Sequence, residues 1–203
     1  MSRMFRLRIL VAFGPAFLLC AGNAWSAEPI PLPSIDYRAT AEIGDGASMV
    51  SRHSNGKMRI ELHMPGMSEP MVTILDLNTK KGLTVMPQPG GPPIALEADL
   101  SDEDGLGVMI SRGERVGTAT VRGEPCDLWR IEAIAAEMKE AAAIGCITRD
   151  GIPLRMEATI DGKREVAFEV TEIERAPQDA KHFTPPAGIQ VMQMPPGMAP
   201  NQK

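Results

Sequence analysis

Residues 57–64, KMRIELHM, alternate without a break. Met58, Ile60, Leu62 and Met64 fall on one side, and Lys57, Arg59, Glu61 and His63 on the other, the period-two pattern of a half-buried strand. Asn55-Gly56 just before them is a hairpin turn that joins this strand to SMVSRH. MVTILDL and GLTVMP flank Asn78-Thr79-Lys80-Lys81 and predict a second hairpin, while QPGGPP, residues 88–93, reads as a loop. VGTATVRGEPCDLWRIEA predicts a hairpin turning near Arg122 to Pro125. Farther on, Asp150-Gly151 and Asp161-Gly162 separate three strands, and Val166, Phe168 and Val170 alternate along the last of them. One segment breaks the pattern. AIAAEMKEAAAIG is rich in Ala, Glu, Met and Lys and predicts a helix that puts Ile134, Met138 and Ala141 on one face and ends at Gly145.

Together these give nine or ten short antiparallel strands and one or two helices, with no βαβ alternation. The expected fold is mainly β (α+β), one domain over residues 35–190. Residues 28–34, EPIPLPS, form a proline-rich extended lead-in, and residues 191–203 a Pro/Met-rich tail expected to be disordered.

The N-terminus changes the picture. Arg3, Arg6 and Arg8 precede an apolar run from Ile9 to Cys20, and small residues follow at Ala24, Ser26 and Ala27. That is a secretory signal, here residues 1–27, with cleavage expected within Ala24 to Ala27. The run is too short for a stable span and no second one follows, so no transmembrane segment is expected after signal removal. Leu19 before Cys20 departs from the small residue a lipidation site needs. The expected location is therefore the periplasm or the secreted fraction. Without the signal, 18 basic residues face 26 acidic ones. An acidic chain lacking a basic stripe argues against nucleic acid as a partner. Aromatic residues make up only 4% of the chain against 14 methionines, so the core rests on aliphatic and thioether side chains.

Export also bears on the cysteines. Once Cys20 is removed, Cys126 and Cys146 are the only pair, and an oxidising compartment makes and keeps disulfides. Zinc needs four ligands, and His53, His63 and His182 are far off in sequence. A redox pair wants Cys-x-x-Cys, which is absent. A structural disulfide is the expected state. The acidic cluster Asp99, Asp102, Glu103 and Asp104 lacks EF-hand spacing and reads as a solvated turn or helix start.

NGKMRIEL, VRGEPCDLWRI, CITRDGIPLRMEA and FTPPAGIQ, in that order, carry a resemblance. The chain resembles exported bacterial domain-of-unknown-function family 4412, which is similar to the LolA-like lipoprotein-carrier fold. Gly123, Cys126 and Trp129 match it, as do Cys146 with Asp150-Gly151-Ile152-Pro153-Leu154, and Phe183 with Pro186 and Gly188. The resemblance implies a curved antiparallel sheet, a half-barrel, whose mouth is covered by one or two helices and whose apolar space holds acyl chains. It implies no catalytic residue and no cofactor.

On that basis a lipid or other hydrophobic ligand would lie against Met58, Ile60, Leu62, Met64, Val166, Phe168, Val170 and Trp129. An ordinary core would show the same alternation, and it is the plainer reading. A second reading uses Met192, Met194 and Met198 of the tail as soft ligands for Cu(I) or Ag(I). HMPGM (His63, Met64, Met67) is a weaker set, because a strand would send His63 and Met64 to opposite faces. A third reading is an envelope interaction module without a ligand. No G-x-S-x-G, H-E-x-x-H or P-loop is present, so an enzyme is not expected.

Overall fold

The computed structural model describes residues 27–88, 90–99, 112–131, 143–160, 162–186 and 188–193. The signal segment up to residue 26, most of the predicted helix, residues 101–104, and Met194 and Met198 lie outside them. The strands are β1 (Glu28–Pro29), β2 (Tyr37–Ile43), β3 (Ala47–Ser54), β4 (Lys57–His63), β5 (Met71–Asp76), β6 (Lys81–Gln88) and β7 (Gly91–Asp99). They continue with β8 (Arg112–Val121), β9 (Glu124–Ile131), β10 (Ala143–Ile147), β11 (Pro153–Ile160), β12 (Lys163–Glu174) and β13 (Gln190–Gln193). All thirteen join one sheet in the order β1-β8-β9-β10-β11-β12-β2-β3-β4-β5-β6-β7-β13. Every pairing is antiparallel except that of β13 with β7. Two meanders, β2–β7 and β8–β12, are thus joined by the β12–β2 ladder.

The sheet is large, open and curved, with few helical residues. Curvature follows from the connections. β7 and β8 are ten strand spacings apart, about 48 Å along a flat sheet. The chain from Asp99 to Arg112 reaches about 45 Å even when fully stretched, so the two edges must approach each other.

The turns explain the registers. Asn55 and Gly56 both adopt left-handed backbone, as a two-residue hairpin turn requires, and they set the pairing of β3 with β4. Arg122 and Gly123 do the same for β8 and β9.

Several expectations need correction. The sheet has more strands than the nine or ten read from the pattern, because β1, β2 and β13 carry weak signals. Pro92 and Pro93 are not loop: they belong to β7, whose neighbour β13 pairs only from Ile94 onward, so neither proline must donate to a ladder there. Ala143 to Gly145 are strand, not helix end, because β10 is hydrogen-bonded on both sides, to β9 and β11. Flanking strands override the alanine preference for helix. Val191 and Met192 are likewise in β13 and not in a disordered tail. The only helical turns among the described residues are 3-10, at Gly44–Gly46 and Ala180–Phe183.

Of three buried clusters among the described residues, the two larger occupy opposite faces, and Met58 with Leu75 makes the third. The larger combines Tyr37, Ala39 and Ala41 of β2 with Val121, Cys126, Cys146, Ile152, Leu154 and Val170, and it marks the inner face. The smaller, on the other side of β9 and β10, holds Trp129, Ile131, Ala143 and Ile147, with Ile30 and Met156 against it. Burying each large side chain stabilises the fold by about 1.5–3 kcal/mol. The lead-in is a packed strap. β1 pairs with β8, Ser34 N–H donates to the Asp150 carbonyl at 3.0 Å, and the carbonyl of Ile35 faces His53.

Candidate functional site

Cross-strand partners share a face, so the registers define what the inner face presents. One row runs Ile173, Ala39, Ser51, Ile60, Thr73, Thr84, Leu96 and Met192, across eight strands. Beside it, Val170, Ala41, Met49, Leu62 and Met71 form a second row, and Met86 pairs with Ile94 in continuation. A third row holds Tyr37, His53, Met58, Leu75 and Gly82. Met49, Ile60, Leu62, Met71, Met86, Ile94 and Leu96 are all half-buried. The result is an aliphatic and thioether band over the β3–β7 half of the sheet. Its polar groups are few: the Thr73 and Thr84 hydroxyls bond each other at 3.2 Å.

His53 and Tyr37 form a buried aromatic step at the edge of this band, stacked with ring centres 6.1 Å apart. His53 Nδ1 lies 2.7 Å from the Ile35 carbonyl oxygen, which fixes the ring proton on Nδ1 as donor. Nε2 has no partner among the described residues. Burial pushes the Tyr37 phenol up to about 12.

The structure brings together some of the sequence-predicted residues and separates others. Met58, Ile60 and Leu62 share the band, and Phe168 and Val170 join the same face through their pairing with Ile43 and Ala41. Met64 does not, because β4 ends at His63 and Met64 is exposed beyond it. Val166 does not either. A bulge at Ala167 pairs Val166 with Glu157 while Phe168 pairs with Met156, and Val166 is left 42% exposed. Trp129 is removed by simple alternation: Leu128 and Cys126 face inward, and the indole packs on the opposite side with Ile131 and Ile147. Of the tail methionines, Met192 is on β13 opposite Leu96, with its side chain exposed. Met49, Met71, Met86, Ile94 and Leu96 were not predicted as site residues. Their alternation was readable, but only the registers show that they line up with Leu62 and Ile60.

Cys126 and Cys146 are joined by a disulfide with a Cα–Cα distance of 5.5 Å, tying β9 to the adjacent β10. At the same end of the sheet, Arg175 clamps two turns. It donates to both Glu124 oxygens, at 2.9 and 2.8 Å, and through Nε to Asp150 at 3.1 Å. The Arg175 hydrogen bonds hold the Glu124 carboxyl below its ordinary range. Burial pulls Asp150 up, but bonds from the Thr148 hydroxyl and Arg175 outweigh it and leave this carboxyl low as well. A cleft of about 160 Å³ opens beside this clamp between Val121, Leu154 and Val170.

The outer face differs. Arg52 and Arg59 both bond the Glu61 carboxylate, at 3.0 and 2.6 Å, and all three side chains are largely covered. Arg59 also donates to the His182 carbonyl at 3.2 Å, fixing the segment that crosses from β12 to β13. Between that segment and β5–β6 lies a cleft of about 360 Å³, lined by Ile74, Leu83, Phe183, Pro185 and Val191. Among the described residues no group of three His, Cys, Asp or Glu side chains is placed to hold a metal ion, and no helix is long and apolar enough to cross a membrane.

No family model matches the chain and no curated protein matches it by sequence, so the resemblance to family 4412 rests on its motifs alone. Solved structures do overlay. Two structures of PNGF-II align with TM-scores of 0.55 and 0.54 at 10% identity, covering 79% of this chain but 31% and 32% of theirs. This chain thus spans about a third of the length of PNGF-II, and the likeness is one of fold. MucB overlays more loosely. Its complex with MucA from Pseudomonas aeruginosa gives a TM-score of 0.45 at 16% identity, over 80% of this chain and 62% of that one. MucB by itself gives 0.43 at 18% identity, over 81% and 64%.

Proposed function

We propose that this is an exported, non-enzymatic protein that holds a hydrophobic ligand, an acyl chain of a lipid, against the inner face of a LolA-like half-barrel. The observation that carries the reading is the continuous band of half-buried Met, Leu and Ile side chains on β3–β7, where alkyl and thioether groups meet few polar partners. Four of the band's side chains are methionines, Met49, Met58, Met71 and Met86, which repack around chains of different shape. Binding suits such a face because it offers apolar contact area with few polar groups. The disulfide suits an oxidising compartment, which supports export.

Native mass spectrometry of the protein from an exporting host tests this. An adduct with the mass of a fatty acid or phospholipid is expected. Leu62→Gln within the band should lose the adduct, and the exposed control Val166→Gln should keep it. A protein that stays bare after incubation with palmitate and with phosphatidylglycerol vesicles would overturn the ligand and leave an interaction module.

A further inference from the structure

The turn between β4 and β5 exposes two thioethers. Met64 is 44% and Met67 48% exposed, and the His63 side chain before them is 47% exposed. Alternation along a strand would send His63 and Met64 apart, but β4 stops at His63. Met64 instead opens a tight turn. Met67 N–H donates to the Met64 carbonyl at 3.2 Å, Pro65 occupies the second position, and Gly66 at the third has φ +82°. That is a type II turn, with a proline that presets φ and a glycine that accepts the left-handed conformation. Its first and last residues approach within about 7 Å at their Cα atoms. Both ends are methionine. Two long, flexible thioethers so placed can converge on one ion, and the exposed imidazole of the adjacent His63 is a third donor at the same end of the sheet.

We propose that Met64, Met67 and His63 form a surface site for a soft monovalent cation, Cu(I) or Ag(I). Thioether sulfur and imidazole nitrogen suit these ions, and hard cations such as Mg²⁺ or Ca²⁺ gain nothing from sulfur. The ion is held as ligand and no redox step is involved. The site is separate from the inner-face band, and Pro65 presets the backbone of its turn.

The test uses the full exported chain with its methionine methyl groups labelled with ¹³C, titrated with silver nitrate in chloride-free buffer. One equivalent of Ag(I) is expected to shift the methyl signals of Met64 and Met67, and the His63 ring signals, before any other. Met64→Leu/Met67→Leu keeps size and exposure, and should weaken the first binding event by about tenfold or more, since even an outer partner of a metal costs that much. First shifts at Met192, Met194 and Met198 would place the ion on the C-terminal segment and overturn the turn site. Shifts unchanged at Met64 and Met67 up to several equivalents would overturn it outright.

Discussion

The Cys126–Cys146 bridge is the feature whose worth is most directly calculable. The two residues are 20 apart in sequence. Closing a loop of that size in the unfolded chain removes entropy worth about 3 kcal/mol at room temperature. The sulfurs also fill space beside Tyr37, Leu154 and Val170 in the larger core cluster. Cys126→Ala/Cys146→Ala keeps that space apolar but leaves a methyl-sized gap at each position, at about 1 kcal/mol apiece. A loss of about 5 kcal/mol follows, and with about 2–4 °C per kcal/mol for a domain of this size the melting temperature should fall by about 10–20 °C. Circular dichroism melts of wild type and variant measure it. The Ser/Ser variant should fall further, because each hydroxyl would be buried without a partner, at about 1–3 kcal/mol. A fall of less than about 3 °C for Ala/Ala would refute the reasoning. It would mean that β9 and β10 already stay together in the unfolded chain, so that the bridge constrains nothing.

Other perturbations reach different parts of the sheet. Glu124 and Asp150 have lowered carboxyl pKa values, so the stability they contribute is present at neutral pH and is lost as pH falls through those lowered values. Arg175→Met should therefore be less stable than wild type at neutral pH and lose less on acidification, as urea midpoints at about pH 7 and about pH 2 would show; parallel losses would exclude the clamp. Gly151 has φ +84°, and a Cβ there would lie 2.1 Å from the Leu32 carbonyl oxygen. Gly151→Ala should cost about 1–3 kcal/mol and expose the strap to thermolysin at the Ser34–Ile35 bond; an uncut strap would show that the turn yields instead.

The strands were legible where alternation coincided with a sharp turn. Asn55-Gly56 with Met58, Ile60 and Leu62 fixed β3 and β4 within a residue. β2 was not read, although Tyr37, Ala39, Ala41 and Ile43 alternate with Arg38, Thr40 and Glu42, because alanine carries little hydrophobic contrast. β1 and β13 are short, and pairing with a distant strand makes them strands. The inner face was legible one strand at a time. Its assembly was not, since which rows align depends on registers set by the β12–β2 ladder and by the bulge at Ala167. Trp129 was misplaced because grouping a large apolar residue with a groove ignores which side its neighbours take.

The β12–β2 ladder joins residues some 130 positions apart in the middle of the sheet, Glu174 against Arg38 and Val170 against Ala41. A chain delivered N-terminus first therefore spends most of its emergence as an unfinished ribbon. β2 to β7 can zip hairpin by hairpin, while the free edge of β2 waits for β12. During that interval the open edge, with Tyr37, Ala39 and Ala41 bare beside it, is the surface most open to pairing with another chain. This late closure, with the pairing of β13 on β7 at the other side of the ribbon, is what a nascent chain must wait for, and anything that escorts it has the β2 edge to shield.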